Sequence, residues 1–341
     1  MASVDLTYKC TEGCWYCNRS AKVSFVAPYT SSEIISLLPL ISELESPNVP
    51  KFHFQGGEPT LFDGWQSVIQ GASEIAHTNS SFSLKESWLN LMEVEQSTAN
   101  MGALFSPLVE VITRNVSAAT TLQYLFEQKH LDAVCISLGT PKTLKRYAER
   151  WLDTAESWYE SSKPSYLCAF FAIDPMEESG EVERTVKYLV TSYPAHTVVL
   201  FALEPLGKAS RRLGTNCQID SLKKLAHALK TAKASLDSPH CLRKNVIIML
   251  PRNASLANVP WAIEYAEGLR LERGFLKTVE GKCVKCSIQS PPTRIAVDPF
   301  GRVYGCCLAM CGACEMYFGK LEIMSNGIPT YIPVHNTCGG H

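Results

Sequence analysis

Cys10-Thr-Glu-Gly-Cys14-Trp-Tyr-Cys17 places three thiols within eight residues, directly after a strand-like run, Ser3–Tyr8. A cubane iron–sulfur cluster has four irons and usually takes four thiolates. Three thiols on one tight loop suit three irons and leave the fourth open to a substrate or cofactor. A zinc site that borrows a fourth ligand from elsewhere is the other reading of the same residues.

Working outward, a second strand-like run, Lys51–Gln55, ends in Gly56-Gly57-Glu58-Pro59-Thr60. Two glycines let a backbone approach a ligand closely, and the Glu and Pro fix the loop that follows. Further strands are expected at Val109–Thr113, Ala133–Leu138, Tyr166–Ile173 and Thr197–Leu203. Helical spacing of apolar residues fills the gaps. Ser31–Leu44 carries Ile34, Ile35, Leu38 and Ile41 on one face, with Ser31-Ser32-Glu33 to cap it. Others fall near Trp65–Ala76, Ala118–Lys129, Pro141–Glu160, Glu181–Ser192 and Gln218–Leu236. Six strand–helix units in series predict an α/β fold with a parallel sheet or barrel. His77–Pro107 interrupts the rhythm and reads as an insertion, either a lid or an extra packing helix.

The bulk properties exclude several function classes. A chain of 341 residues forms two domains or one large one. Lys and Arg number 32 against 33 Asp and Glu, so there is no broad basic surface and no nucleic acid partner is expected. No stretch reaches the roughly 18 apolar residues of a membrane span, and the start lacks a signal peptide's basic-then-apolar order. The expectation is a cytoplasmic protein with no membrane partner. Cysteine stands out at 14 residues, ten of them in clusters near the two ends. In a reducing compartment, clustered thiols favour metal over disulfides.

The C-x3-C-x2-C loop of Cys10, Cys14 and Cys17, followed by Gly-Gly-Glu-Pro at the end of strand two, resembles the radical S-adenosylmethionine (SAM) superfamily. The resemblance implies a partial (β/α)6 barrel over residues 1–272. It implies a catalytic [4Fe-4S] cluster on the three thiols and SAM bound by Gly56, Gly57, Glu58 and Pro59. Tyr16 takes the aromatic position that meets the adenine in such families. Thr113-Arg114-Asn115 stands where relatives have Thr-Asn-Gly, a partial match. Ser137 stands where they place a Ser near the SAM ribose. Leu203-Glu204-Pro205-Leu206-Gly207-Lys208-Ala209 resembles the Pro-x-Gly-x-Ala turn of peptide-modifying members. The implied chemistry is one-electron cleavage of SAM to methionine and a 5′-deoxyadenosyl radical, which abstracts a substrate hydrogen. A flavodoxin or ferredoxin would supply the electron.

Residues 273–341 hold seven cysteines around an expected hairpin, Thr293–Val297, turn, Arg302–Cys306. Cys286-x14-Gly301-x4-Cys306 with Cys311-x2-Cys314 resembles a SPASM or twitch domain, which carries auxiliary iron–sulfur clusters. The full SPASM pattern wants cysteines near Lys320 and Met324, so one auxiliary [4Fe-4S] cluster fits better than two. Its expected ligands come from Cys283, Cys286, Cys306, Cys311, Cys314 and Cys338. A zinc ribbon is the alternative. Of the lone cysteines, Cys135 and Cys168 read as core. Cys217, in the loop after strand six, is the candidate catalytic hydrogen-atom donor. Lys208, Arg211 and Arg212 would meet an acidic peptide or form a solvated loop. The substrate implied by the family's turn is a ribosomally made peptide. Only nine residues precede Cys10, so a separate leader-binding protein or a leader-free mode is expected. Sugar or aminocyclitol dehydrogenases and epimerases of the same domain type are the alternative class, and an electron carrier is the non-enzyme one.

Overall fold

The computed structural model describes residues 2–17, 19, 21–45, 51–78, 108–161, 166–203, 207–213, 220–221, 223–228, 230, 245–249, 276–279, 295–304 and 318–334. Eight parallel strands form the frame, in spatial order β1 to β8: β1 (Ala2–Thr7), β2 (Phe52–Gly56), β3 (Val109–Thr113), β4 (Ala133–Gly139), β5 (Tyr166–Ile173), β6 (Thr197–Ala202), β7 (Asn245–Met249) and β8 (Leu276–Val279). The first six are the strands expected from the sequence, within one or two residues. β7 and β8 extend the parallel array beyond β6. The architecture is the partial α/β barrel expected from the alternation of strands and helices.

Among the described residues, helices between the strands include α1 (Ser31–Glu45), α2 (Trp65–Thr78), α3 (Ala119–Glu127), α4 (Pro141–Glu160) and α5 (Ser179–Thr191), and residues 220–221, 223–228 and 230 are helical between β6 and β7. α4 shows why these segments are helical. Proline opens it, where the missing N–H costs nothing. Leu144, Tyr147, Ala148, Trp151, Ala155 and Trp158 recur at helical spacing and are all buried. α1 is capped by Thr30 and Glu33 rather than by Ser31 or Ser32. The Glu33 carboxylate accepts from Thr30 N at 2.7 Å, and Thr30 Oγ1 accepts from Glu33 N at 3.3 Å.

Alternate strand residues face opposite ways. Phe52, Phe54, Val109, Val111, Val134, Ile136, Leu167 and Phe171 join the helices in one core. The residues between them, His53, Glu110, Cys135 and Cys168, line the barrel interior. Glu110 contacts His53 Nδ1 at 2.7 Å and accepts from the Cys135 thiol. Burial alone would raise the Glu110 carboxyl. His53 and the thiol outweigh that and hold it below its ordinary value. Cys135 and Cys168 are buried, as expected of core residues.

On the other side of β1, the sheet continues through β9 (Ala296–Val297), β10 (Arg302–Tyr304), β11 (Gly319–Ile323) and β12 (Pro329–Pro333). β9 is parallel to β1 and the rest are antiparallel. The β9–β10 hairpin is the one expected. Asp298 shapes its turn by accepting from Phe300 N at 3.0 Å and Arg302 N at 2.9 Å. Gly301 takes the positive φ of 79° that a side chain would resist. Of the expected insertion, His77 and Thr78 end α2 and the remainder lies outside the described residues. Among the described residues no helix is long and apolar enough to cross a membrane.

Candidate functional site

The two motifs met first in the sequence are joined by backbone. Gly57 N donates to Thr7 O at 2.7 Å and Glu58 N donates to Lys9 O at 2.8 Å. The loop after β2 is thereby strapped along the segment that leads into Cys10. This contact by itself calls for glycine at both positions. A Cβ at Gly56 would lie 2.4 Å from Thr7 O, and one at Gly57 would lie 2.4 Å from Lys9 O. Gly56 also sits at φ +127°.

Glu58 is buried and its carboxylate is shared out. Oε1 accepts from Thr60 Oγ1 and Thr113 Oγ1, both at 2.7 Å. Oε2 accepts from Arg114 N at 2.9 Å. Pro59 opens the single helical turn Pro59–Leu61 that brings Thr60 back onto the carboxylate. The end of β2 is thus pinned to the end of β3, and Thr113 serves that tie.

Arg114 continues the network toward the thiols. Its Nε donates to Ser137 O at 2.9 Å and its Nη2 to Ser137 Oγ at 2.8 Å and Tyr16 OH at 3.3 Å. Nη1 donates to Cys14 Sγ at 2.7 Å. Its own carbonyl accepts from Trp151 Nε1 at 3.2 Å. The guanidinium carbon stands 4.6 Å from the centre of the Tyr147 ring, and the Tyr147 hydroxyl in turn donates to Glu12 on the cysteine loop. Burial would lower the Arg114 pKa, but Tyr16 and Cys14 beside it raise it further above its ordinary value, so the charge is permanent. Burial pushes Tyr16 up to about 12 and Cys10 up to about 11, so neither ionises unaided near neutral pH.

The loop is held from a third side by the residues after β6. Lys208 N donates to Cys17 O at 3.0 Å and Lys208 Nζ to Ala21 O at 3.1 Å. Arg212 stacks over Trp15 at 5.4 Å. Lys208 and Arg212 therefore brace the cysteine loop, while Arg211 and Arg212 stay exposed, as the solvated-loop reading expects. Leu203 is buried with Ala172, Ala209 and Leu213 beneath Trp15 and Tyr16.

Cys10, Cys14 and Cys17 are free and half-buried. Among the described residues no three His, Cys, Asp or Glu side chains already converge as a metal cage. The chemistry of the donor set fits an iron–sulfur cluster. Three thiols share one loop, Cys10 Sγ accepts from Glu12 N at 3.4 Å, and Cys14 Sγ accepts from Arg114. Such hydrogen bonds are among the levers that tune a cluster.

The site thus gathers Cys10, Cys14, Cys17, Tyr16, Gly56, Gly57, Glu58, Pro59, Thr113, Ser137 and Leu203 at the C-terminal ends of β1 to β6. Cys217, Cys283, Cys286, Cys306, Cys311, Cys314 and Cys338 lie outside the described residues. Sequence reasoning missed Arg114, Glu12 and Tyr147. Arg114 was visible only as a departure from Thr-Asn-Gly. Its place at the C-terminal end of a strand was the available signal, because barrel active sites are built there.

Neither a protein-family model nor a curated protein matches the chain. Solved structures do. The chain superposes on Streptococcus suis SuiB bound to the precursor peptide SuiA with a TM-score of 0.56 at 11% identity, over 92% of this chain and 60% of that one. Against SuiB bound to S-adenosylmethionine the TM-score is 0.51 at 11% identity, over 93% and 62%. The chain therefore covers less than two thirds of SuiB, and the likeness is one of fold.

Proposed function

We propose that this chain is a radical SAM enzyme that modifies a ribosomally made peptide. The observation that carries the reading is the strap between the Gly-Gly-Glu loop and residues 7–9. Two motifs forty residues apart in sequence are locked side by side at the strand ends. The parallel pairing of β1 and β2 brings the two segments together, and the backbone bonds then fix the Gly-Gly-Glu loop against the lead-in to the three thiols.

Cys10, Cys14 and Cys17 would hold the [4Fe-4S] cluster, with SAM against the Gly56–Pro59 loop, Tyr16 and Ser137. When bound, the pair would supply one-electron reductive cleavage of a sulfonium for hydrogen-atom abstraction from substrate, with the electron from a flavodoxin- or ferredoxin-class donor. The chain's own part is to bind, orient and shield. Glu58 acts as the brace of its loop, since Thr60, Thr113 and Arg114 take its oxygens. Ser137 is held by Arg114 at the edge of the site. Trp15, Tyr16 and Leu203 form an apolar wall with the loop after β6.

The peptide substrate is supported by the turn after β6 and by the precursor peptide that SuiB, a structure of the same fold, holds. Residues 273–341 would add one auxiliary cluster on cysteines drawn from Cys283, Cys286, Cys306, Cys311, Cys314 and Cys338, favouring oxidation or crosslinking. Cys217 would serve the competing outcome, epimerisation, by donating a hydrogen atom.

The test is anaerobic reconstitution followed by reduction with SAM present. The wild-type chain is expected to release 5′-deoxyadenosine, and Cys10→Ala/Cys14→Ala/Cys17→Ala to release none while keeping any auxiliary iron. Continued 5′-deoxyadenosine from the triple variant sinks the reading.

A further inference from the structure

Arg114 is the one cation in the described site whose guanidinium reaches a loop thiol. Four of its contacts fix the head group: the Ser137 carbonyl, the Ser137 hydroxyl, the Tyr16 hydroxyl and the Cys14 sulfur. The Tyr147 ring covers one face. Below, the Arg114 backbone is anchored twice, by its N–H on Glu58 and its carbonyl on Trp151. A planar head with this many fixed partners cannot swing away without breaking several bonds at once. Glu12, from the same loop as Cys14, is tied to Tyr147. The guanidinium, the ring and the loop therefore form one assembly.

We infer that Arg114 is a positioning residue that fixes Cys14 and holds a permanent positive charge against its sulfur, raising the reduction potential of the cluster that the loop would carry. The inference rests on the proposed function. Its physics is simple. One-electron reduction adds one negative charge, the electron coming from an added reductant such as dithionite. A cation held beside a ligating sulfur stabilises the reduced form, and a half-buried one is screened less by water than a free side chain. Lysine keeps the charge and loses the fork; glutamine keeps donors and loses the charge.

The experiment compares the full chain with Arg114→Lys and Arg114→Gln after anaerobic reconstitution. Iron per chain and the midpoint potential are read by dithionite titration with electron paramagnetic resonance. The signal of the loop cluster is the one missing from Cys10→Ala/Cys14→Ala/Cys17→Ala. Arg114→Gln is expected to lower the equilibrium constant for one-electron reduction at least tenfold, a shift of about 59 mV. Arg114→Lys is expected to stay near the wild-type potential. A cluster kept by Arg114→Lys and lost by Arg114→Gln also supports the inference, because the charge is then what matters. An unchanged potential in Arg114→Gln with a full cluster overturns it. So does loss of the cluster from both folded variants, which makes Arg114 a structural tie alone. A wild-type chain that carries no loop cluster overturns the proposed function instead.

Discussion

The two ends of the barrel use the same device to different effect. At the N-terminal ends of the strands, the buried Asp132 carboxylate accepts from Leu108 N at 3.0 Å and Val109 N at 2.9 Å, and stands 3.7 Å from His77. At the C-terminal ends, Glu58 likewise pins one strand to its neighbour. Asp132 Oδ2 takes both backbone donors, and Oδ1 faces His77, whose Nδ1 turns back to Ser73 on its own helix, so this network stays within the frame. Glu58 holds Arg114, whose guanidinium goes on to Cys14, Tyr16 and Ser137. One carboxylate closes a core; the other presents a side chain to a loop of thiols. In barrels the first face bears on stability and the second on chemistry.

Asp132→Ala gives the largest expected break in that symmetry. It leaves two buried backbone donors without their acceptor, which costs roughly 2–4 kcal/mol. The check is urea unfolding, read beside iron per folded chain. Stability should fall and iron retention should hold; if iron falls with no loss of stability, the two ends have not been told apart.

Gly57→Ala acts at the other end. Its Cβ meets the Lys9 backbone, which cannot step aside as a flexible side chain would. The strain is expected to cost about 1–3 kcal/mol and to loosen the strap on the cysteine loop. Iron per chain should drop here along with the denaturation midpoint. A variant with full iron would show that the strap does not position the thiols.

The smallest effect is a pH dependence at the N-terminal end. The Asp132 carboxylate 3.7 Å away is the main cause that raises His77 above its ordinary 6.5, against the pull of burial. A raised histidine stabilises the fold fully below about pH 6.5 and loses that contribution as pH rises through its folded value. His77→Gln should therefore cost more at about pH 5.5 than at about pH 8, though half-exposure keeps the difference small. Thermal unfolding at both values decides it, and equal losses would remove His77 from the Asp132 network.

Much of the frame was legible in the chain itself. The alternation of apolar runs and helical spacing located the first six strands, because burial on both faces demands such runs from a parallel strand. Pro141–Glu160 was placed to the residue by its opening proline and its stripe of large apolar side chains. Three thiols in eight residues singled out the cysteine loop, since few uses other than metal binding gather cysteines so densely. The Asp298–Gly301 turn was readable from proline early and glycine late.

Other features depended on distance along the chain being cancelled by folding. Nothing local says that Gly57 and Lys9 touch, so the glycines looked made for a ligand when they were also made for a neighbouring backbone. The cationic run at 208–212 is solvated at Arg211 and Arg212, as its charge suggested, but nothing local says that it also braces Cys17 and Trp15. Arg114 is the sharpest case. Its residue type and place at a strand end belonged to the sequence by itself. Its aim did not: Cys14, Ser137, Tyr147 and Glu58 come from separate elements, and only the parallel register of β2, β3 and β4 brings them around one guanidinium. Hydrogen bonds and charge act over a few ångströms of space, so sequence determines which groups exist and tertiary structure decides which of them meet.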